Sequence, residues 1–541
     1  MARSALMGFL KSLVGAHAEA DRRNLPIEAI REEQEQVAEQ QRTGVGRRQI
    51  LMGAVAGAAM LALPRRARAA PAPRIAVIGA GISGTTAALT LQDAGYASTV
   101  YESSARIGGR MFSNNAGYWT DNQVSEWCGE LIDTAHVTIQ ALAKRFNLPL
   151  DDGFSSTPSG ATETYYYTGQ YYPKDQADAD FKPVYAKLRS DRNAANYPTT
   201  YNSSTAAGVA LDKMSIYDWI ESRVPGGHTS QLGKLLDTAY EIEYGASTRE
   251  QSSLNLVYLL GYQPNSSSLE TFGRSNERYH IRGGNQLLPL AVAGALNTPI
   301  QLNMRLIAIA KASDGSYTLT FRSGNTTKTV TADLVVLTVP FAVMSGIDTT
   351  KAGFDTLKDS AIANLGRGRN GKLQLQYTSR LWNTQGPWGL GSGTSYSDVG
   401  YQTTWEVSRA QPGASGILVN YTGGGTTLAM QTKVAYATVS TGSVKTDATN
   451  FLTKVEKVFP GLTSRWNTKA TSSLPHLDPN FGCSYSFWKV GQVSTIAGYE
   501  RVRQGNIFFA GEHCSLDFQG FMEGGASEGK RAAAEIIAQL K

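Results

Sequence analysis

The spacing of apolar positions divides the chain into stretches of different period. From Ile50 to Leu63 no charged residue interrupts a run that is apolar on every side, yet it falls short of the about 20 residues that span a bilayer. Arg74-Ile75-Ala76-Val77-Ile78 is a short apolar run suited to a buried parallel strand. A helical pattern follows over Thr85–Ala94, closed by Gly95, and a second strand-like run, Ser98-Thr99-Val100-Tyr101, ends at Glu102. The stretches 306–321, 333–339 and 506–510 also read as strands. Lys372-Leu373-Gln374-Leu375-Gln376-Tyr377 alternates as a half-buried strand does. Between these, 131–269 mixes helical patterns with a Tyr/Asn/Ser-rich loop around 160–205. Gly391–Ser397 and Thr422–Thr427 read as turns and linkers. No internal repeat is present.

Composition narrows the classes. A 541-residue chain that is 41% hydrophobic has ample material for a large core and is not a disordered one. Three scattered cysteines, Cys128, Cys483 and Cys514, cannot make a disulfide framework. The net charge of +6 is uneven: residues 1–69 carry +4 of it. The remainder holds no basic stripe of the kind nucleic acid requires. Within the leader, Arg47-Arg48, the apolar run and the small-residue site Ala67-Arg68-Ala69 form a twin-arginine export signal. A periplasmic or secreted protein is therefore expected, with no membrane span after the signal.

The candidate chemistry begins at residue 79. Gly79-Ala80-Gly81-Ile82-Ser83-Gly84 joins the first strand to the first helix. Gly79 permits the tight turn, Gly81 lets backbone approach a pyrophosphate, and Gly84 lets helix and strand pack closely. The helix N-terminus offers free N–H groups to phosphates. Glu102, at the end of the second strand, is placed to accept from a ribose diol, which argues against a 2′-phosphate and leaves NAD or FAD. No zinc-ligand spacing, HExxH or GxSxG motif accompanies it, so neither a metal site nor a serine hydrolase is expected.

The following residues favour FAD. Glu102-Ser103-Ser104-Ala105-Arg106-Ile107-Gly108-Gly109-Arg110 resembles the second glycine signature of the FAD-dependent amine oxidase family. Glu126-Trp127-Cys128-Gly129-Glu130-Leu131-Ile132 is similar to that family's segment near the flavin ring. Arg282-Gly283-Gly284-Asn285-Gln286, Leu306-Ile307-Ala308-Ile309 and Asp333–Pro340 resemble its middle block. Ile507–His513 and Gly520-Phe521-Met522-Glu523-Gly524-Gly525 resemble its closing motif and the helix after it. The resemblance implies an α/β fold with a Rossmann-like FAD-binding domain assembled from discontinuous segments, 71–130, 270–345 and 495–541. A mixed-sheet substrate domain at 346–494 and a helical, substrate-facing region at 131–269 complete it, behind the leader 1–69.

The same resemblance assigns site residues. The cofactor is expected at Gly79, Gly81, Gly84, Glu102, Arg106, Gly108, Gly109, Arg110, Gly129, Glu130, Leu306, Gly511, Glu512 and Met522. Arg106 and Arg110 would neutralise the pyrophosphate. Phe521 and Tyr485 correspond to the two planes of the family's aromatic cage, and Lys372 to the lysine that holds a water near the flavin N5. Outside these motifs, His136 reads as a core or surface histidine. Some members attach the flavin through a cysteine next to the cage tyrosine; here Ser484 stands between Cys483 and Tyr485, so FAD is expected to be non-covalent.

The expected activity is oxidation of the amine of an L-amino acid to an imine, with oxygen reduced to hydrogen peroxide. Gly129-Glu130-Leu131-Ile132 lacks the arginine that family amino acid oxidases place there, so Arg274 or Arg278 is the candidate for a substrate carboxylate. A monoamine or polyamine oxidase, or a flavin dehydrogenase that passes electrons to a carrier protein, stays open as an alternative. The oligomeric state is open, a homodimer being compatible with the sequence.

Overall fold

The computed structural model describes residues 72–541; the expected export signal lies outside the described residues. Four parallel strands form the first sheet, in the order Ser98–Tyr101, Ile75–Ile78, Leu334–Leu337, Ile507–Phe509. Ile75 pairs with Leu334 and Ser98, and Val335 with Ile507. All four residues of Ile75–Ile78 are buried, as expected for a parallel strand covered on both faces. One face is covered by the helices Ile82–Asp93 and Met522–Leu540, through Ala87, Leu91, Ala532 and Ile536. The two helices approach so closely that a Cβ on Gly529 would collide with the Ser83 carbonyl oxygen.

The other face packs on a second four-stranded sheet. The single stretch expected over 306–321 divides there into Arg305–Lys311 and Tyr317–Ser323, which pair antiparallel around a turn at Gly315. Thr326–Ala332 and Asp348–Lys351 complete this sheet.

The largest sheet has eight strands. Its order is Tyr436–Thr438, Trp466–Ser473, Gly371–Tyr377, Gly416–Thr422, Thr403–Glu406, Gly391–Ser397, Thr162–Tyr167 and Gln170–Tyr172. Two expectations are corrected here. The Tyr-rich stretch near 160–205 is not one loop: it supplies the hairpin Thr162–Tyr172, which pairs with Gly391–Ser397, and the 22-residue helix Lys174–Ala195. Gly391–Ser397 is itself a strand rather than a turn. Its small residues make room for indole rings, since a Cβ on Gly393 would lie 3.0 Å from Trp382. Within Thr422–Thr427, Gly424 opens a short helix that runs to Leu428. Helices Ile216–Arg223, Gln231–Tyr244 and Ser253–Leu260 share a core with the Tyr165 hairpin. No helix of the described residues is long and apolar enough to cross a membrane.

Candidate functional site

The turn between the first strand and its helix forms a backbone-lined groove. Gly79 has φ +108°, and its N–H donates to the Tyr101 carbonyl at 2.8 Å. A Cβ on Gly79 would collide with Thr338 Oγ1, and one on Gly84 with the Gly79 carbonyl oxygen. Gly81 differs, because its Cβ would meet nothing nearer than Gly109 Cα at 3.8 Å. Gly108 N–H donates to the Ala80 carbonyl at 2.9 Å, which sets the second glycine loop against the first. Glu102 is buried beside them and accepts from Ala80 N (2.8 Å), Ser104 N (2.9 Å) and Ser104 Oγ (2.8 Å). Glycine backbone at a helix N-terminus with a carboxylate at its rim fits a dinucleotide.

The two arginines divide. Arg106 donates to the Gly109 carbonyl at 2.8 Å, with its guanidinium 3.9 Å over the Phe112 ring. Arg110 is paired with Glu512 at 2.9 Å and donates to the Ser484 carbonyl at 3.0 Å. Burial pushes the Glu512 carboxyl up, but the Arg110 charge and a Ser486 hydrogen bond hold it below its ordinary value. Gly520 N–H also donates to Glu512 at 3.0 Å. Gly511, just before it, has φ +126°. Leu306 places its side chain in the core with Tyr101 and Phe321.

Further along, Gly129 N–H donates to the Arg110 carbonyl, and a Cβ there would lie 2.9 Å from Met522 Sδ. Asn285 Nδ2 donates to the carbonyls of Gly129 (3.1 Å) and Glu130 (2.6 Å). Behind this segment Glu126, fully buried, pairs with His280 at 2.8 Å. Burial lowers the His280 pKa, but the Glu126 hydrogen bond and charge outweigh it, so the imidazole is shifted upward.

On the Gly129–Glu130 segment, Lys372 Nζ donates to Glu130 Oε2 at 2.6 Å and to the Cys128 carbonyl at 2.7 Å. Trp405 Nε1 donates to the other Glu130 oxygen at 2.8 Å. The expected cage residues are connected through Gly520, where a Cβ would lie 3.4 Å from the Tyr485 ring; Phe521 is the next residue. The Tyr485 hydroxyl lies 2.9 Å from that of Tyr421 and donates to the Glu243 carbonyl. Tyr421 packs on Trp405 with ring centroids 4.9 Å apart. His136 is fully buried with its ring 5.2 Å from that of Phe521, so it is a core histidine beside one of the expected cage residues.

Glu243 and Glu277 join this wall. Burial, reinforced by their mutual repulsion and by Asp133 for Glu243, pushes the Glu243 carboxyl up to about 8. Burial and the Asp133 charge push Glu277 up to about 8 as well, against the attraction of Arg409. Glu277 has φ +48° and its N–H donates to Asp133 Oδ1 at 2.8 Å. Of the arginines expected to meet a carboxylate, Arg278 is engaged with Asp152 at 2.6 Å and Arg274 is exposed. Trp405, Tyr421, Glu243, Glu277 and Arg409 had no motif to mark them.

The sequence pattern described as "Flavin containing amine oxidoreductase" matches residues 82–537, and the chain belongs to that family. It is 24% identical over 508 residues to an L-amino-acid oxidase of Siganus canaliculatus, covering 86% of this chain and 85% of that protein. It is 23% identical over 485 residues to polyamine oxidase 4 of Oryza sativa subsp. japonica, covering 88% and 91%. Among solved structures it is similar to cyclohexylamine oxidase from Brevibacterium oxydans, with TM-score 0.73 and 20% identity over 87% of this chain and all of that one.

Proposed function

We propose that the protein is an oxidase with non-covalent FAD that converts an L-amino acid, oxygen and water into a 2-oxo acid, ammonia and hydrogen peroxide. Bound FAD supplies the two-electron acceptor for the C–N bond. The groove at Gly81 and Gly109, with Glu102 at its rim, would hold the dinucleotide end. Tyr485 and Phe521 would flank the amine, with Tyr485 fixed by Tyr421 and the Glu243 carbonyl. Lys372 would supply a fixed cation where negative charge develops on oxygen.

Arg409 carries the amino acid reading. It is half-buried just past the strand Thr403–Glu406, with its Nε donating to the Glu406 carbonyl at 3.1 Å, and its guanidinium would be the cation that meets a substrate carboxylate. The wall that Glu243 and Glu277 join favours a second reading. Glu243 and Glu277 would ionise in response to a distal ammonium, as a diamine or polyamine would present. A peroxide-coupled screen over L-amino acids, D-amino acids, monoamines and polyamines separates the two. Turnover confined to L-amino acids and abolished by Arg409→Met supports the first; turnover of polyamines alone refutes it. Peroxide absent with every amine, while an artificial carrier is reduced, would point to a dehydrogenase.

Export through the twin-arginine route is part of the proposal, supported by Arg47-Arg48 and the apolar run after them. Replacing both arginines with lysine should leave the protein in the cytoplasm; unchanged export would refute this.

A further inference from the structure

Glu130 stood in the motif only as a residue near the flavin ring, but its side chain faces Lys372. An ammonium has three N–H donors. Two of those on Lys372 are occupied, by Glu130 Oε2 at 2.6 Å and by the Cys128 carbonyl at 2.7 Å, and both acceptors lie on the same short segment. The third donor is thereby directed away from that segment. Glu130 is held in turn. Trp405 Nε1 occupies its other carboxylate oxygen at 2.8 Å, and Asn285 Nδ2 ties down its backbone carbonyl at 2.6 Å. The Glu130 and Lys372 side chains are 5% and 8% exposed, so this pair lies where water screens little. Four separate parts of the chain converge on one contact.

We propose that Glu130 is a positioning residue, which with Trp405 behind it fixes the ammonium of Lys372 in one orientation at the oxidation site. Burial drives the Glu130 carboxyl up, and the Lys372 charge and hydrogen bond with the Trp405 hydrogen bond bring it below its ordinary value, so it is an anion at neutral pH. The contact is therefore charge-assisted, the stronger kind of hydrogen bond. Lys372 consequently acts as one half of an ion pair rather than as an isolated cation. The inference rests on the reading of Lys372 as the site's functional ammonium.

The test uses the holoenzyme and the variants Glu130→Gln, Trp405→Phe and Lys372→Met. Lysine acylation by a water-soluble reagent, mapped by mass spectrometry, reports whether Lys372 is held. Loss of one charge-assisted bond should raise its labelling rate about tenfold in Glu130→Gln and by less in Trp405→Phe. Lys358, fully buried on the carbonyls of Tyr499 and Glu500, should stay unlabelled in both, which separates local release from general loosening. In stopped flow, Glu130→Gln should slow reoxidation by oxygen more than it slows reduction by substrate. Adding it to Lys372→Met should slow reoxidation no further. Unchanged Lys372 labelling in Glu130→Gln overturns the proposal, and Trp405→Phe decides if Glu130→Gln does not fold. Both half-reactions unchanged in Lys372→Met would instead overturn the reading of Lys372 itself.

Discussion

Replacing Gly81 with valine separates cofactor binding from folding. Gly81 precedes the helix Ile82–Asp93 with φ −73° and ψ 179°, an extended conformation that any residue adopts. A Cβ would find its nearest neighbour, Gly109 Cα, at 3.8 Å, an ordinary contact. The apoprotein should therefore tolerate the change, at a cost of about 1 kcal/mol for a poor helix-capping residue. The new methyl groups would occupy the space through which a pyrophosphate approaches the helix N-terminus. Losing two charge-assisted hydrogen bonds there costs about 3–6 kcal/mol. That corresponds to about 10²- to 10⁴-fold weaker FAD binding. The assay is equilibrium titration of apoprotein with FAD by flavin fluorescence, beside thermal unfolding of the same sample. Gly84→Ala is the contrasting control, because its Cβ collides with the Gly79 carbonyl oxygen and should destabilise the fold itself. A Gly81→Val protein that retains stoichiometric FAD would refute the assignment of the groove.

Two further predictions follow from buried groups. Cys483 is 3% exposed with its thiol 3.6 Å from the Phe481 carbonyl, and burial pushes its pKa up to about 11, which disfavours the thiolate; acid precipitation should leave the yellow colour in the supernatant, and colour retained in the pellet but lost in Cys483→Ala would contradict this. Glu500 is 1% exposed, neither of its carboxylate oxygens accepts a hydrogen bond from another residue, and burial raises its carboxyl to about 8 against the attraction of Lys358 and Arg501. The unfolded chain releases this proton at lower pH, so the stability Glu500 contributes is complete below about 4.5 and is lost as pH rises through about 8. Glu500→Gln should thus raise Tm more at pH 8 than at pH 5, by a margin worth at least about 1 kcal/mol; an equal shift at both pH values would refute it.

What the sequence reveals is mostly local. The strand, glycine turn, helix and second strand over 75–101 are legible because each step has its own signal within a few residues, from the apolar run to the acid at Glu102. Gly391–Ser397 fails this rule. Its glycines and serines carry turn chemistry, but neighbouring strands and the rings of Trp382 and Trp388 overrule that preference. The hairpin Thr162–Tyr172 is hidden similarly, since its partner strand lies more than two hundred residues away. The same holds for the site. Lys372 and Glu130 could be singled out separately, but their contact spans 242 residues and no spacing announces it. Tyr421 and Glu243 are recognisable only once the eight-stranded sheet and the helix Gln231–Tyr244 bring them to Tyr485, and Trp405 only through its packing on Tyr421.

The central claim, that this chain takes two electrons from an amine and gives them to oxygen, is tested most directly by an anaerobic titration of the purified holoenzyme followed by admission of air. An L-amino acid should bleach the flavin absorbance in the absence of oxygen. Air should then restore it, with about one hydrogen peroxide formed per flavin, as the two-electron stoichiometry requires. A flavin that no amine bleaches, or one that stays bleached in air until a carrier is added, would contradict the account.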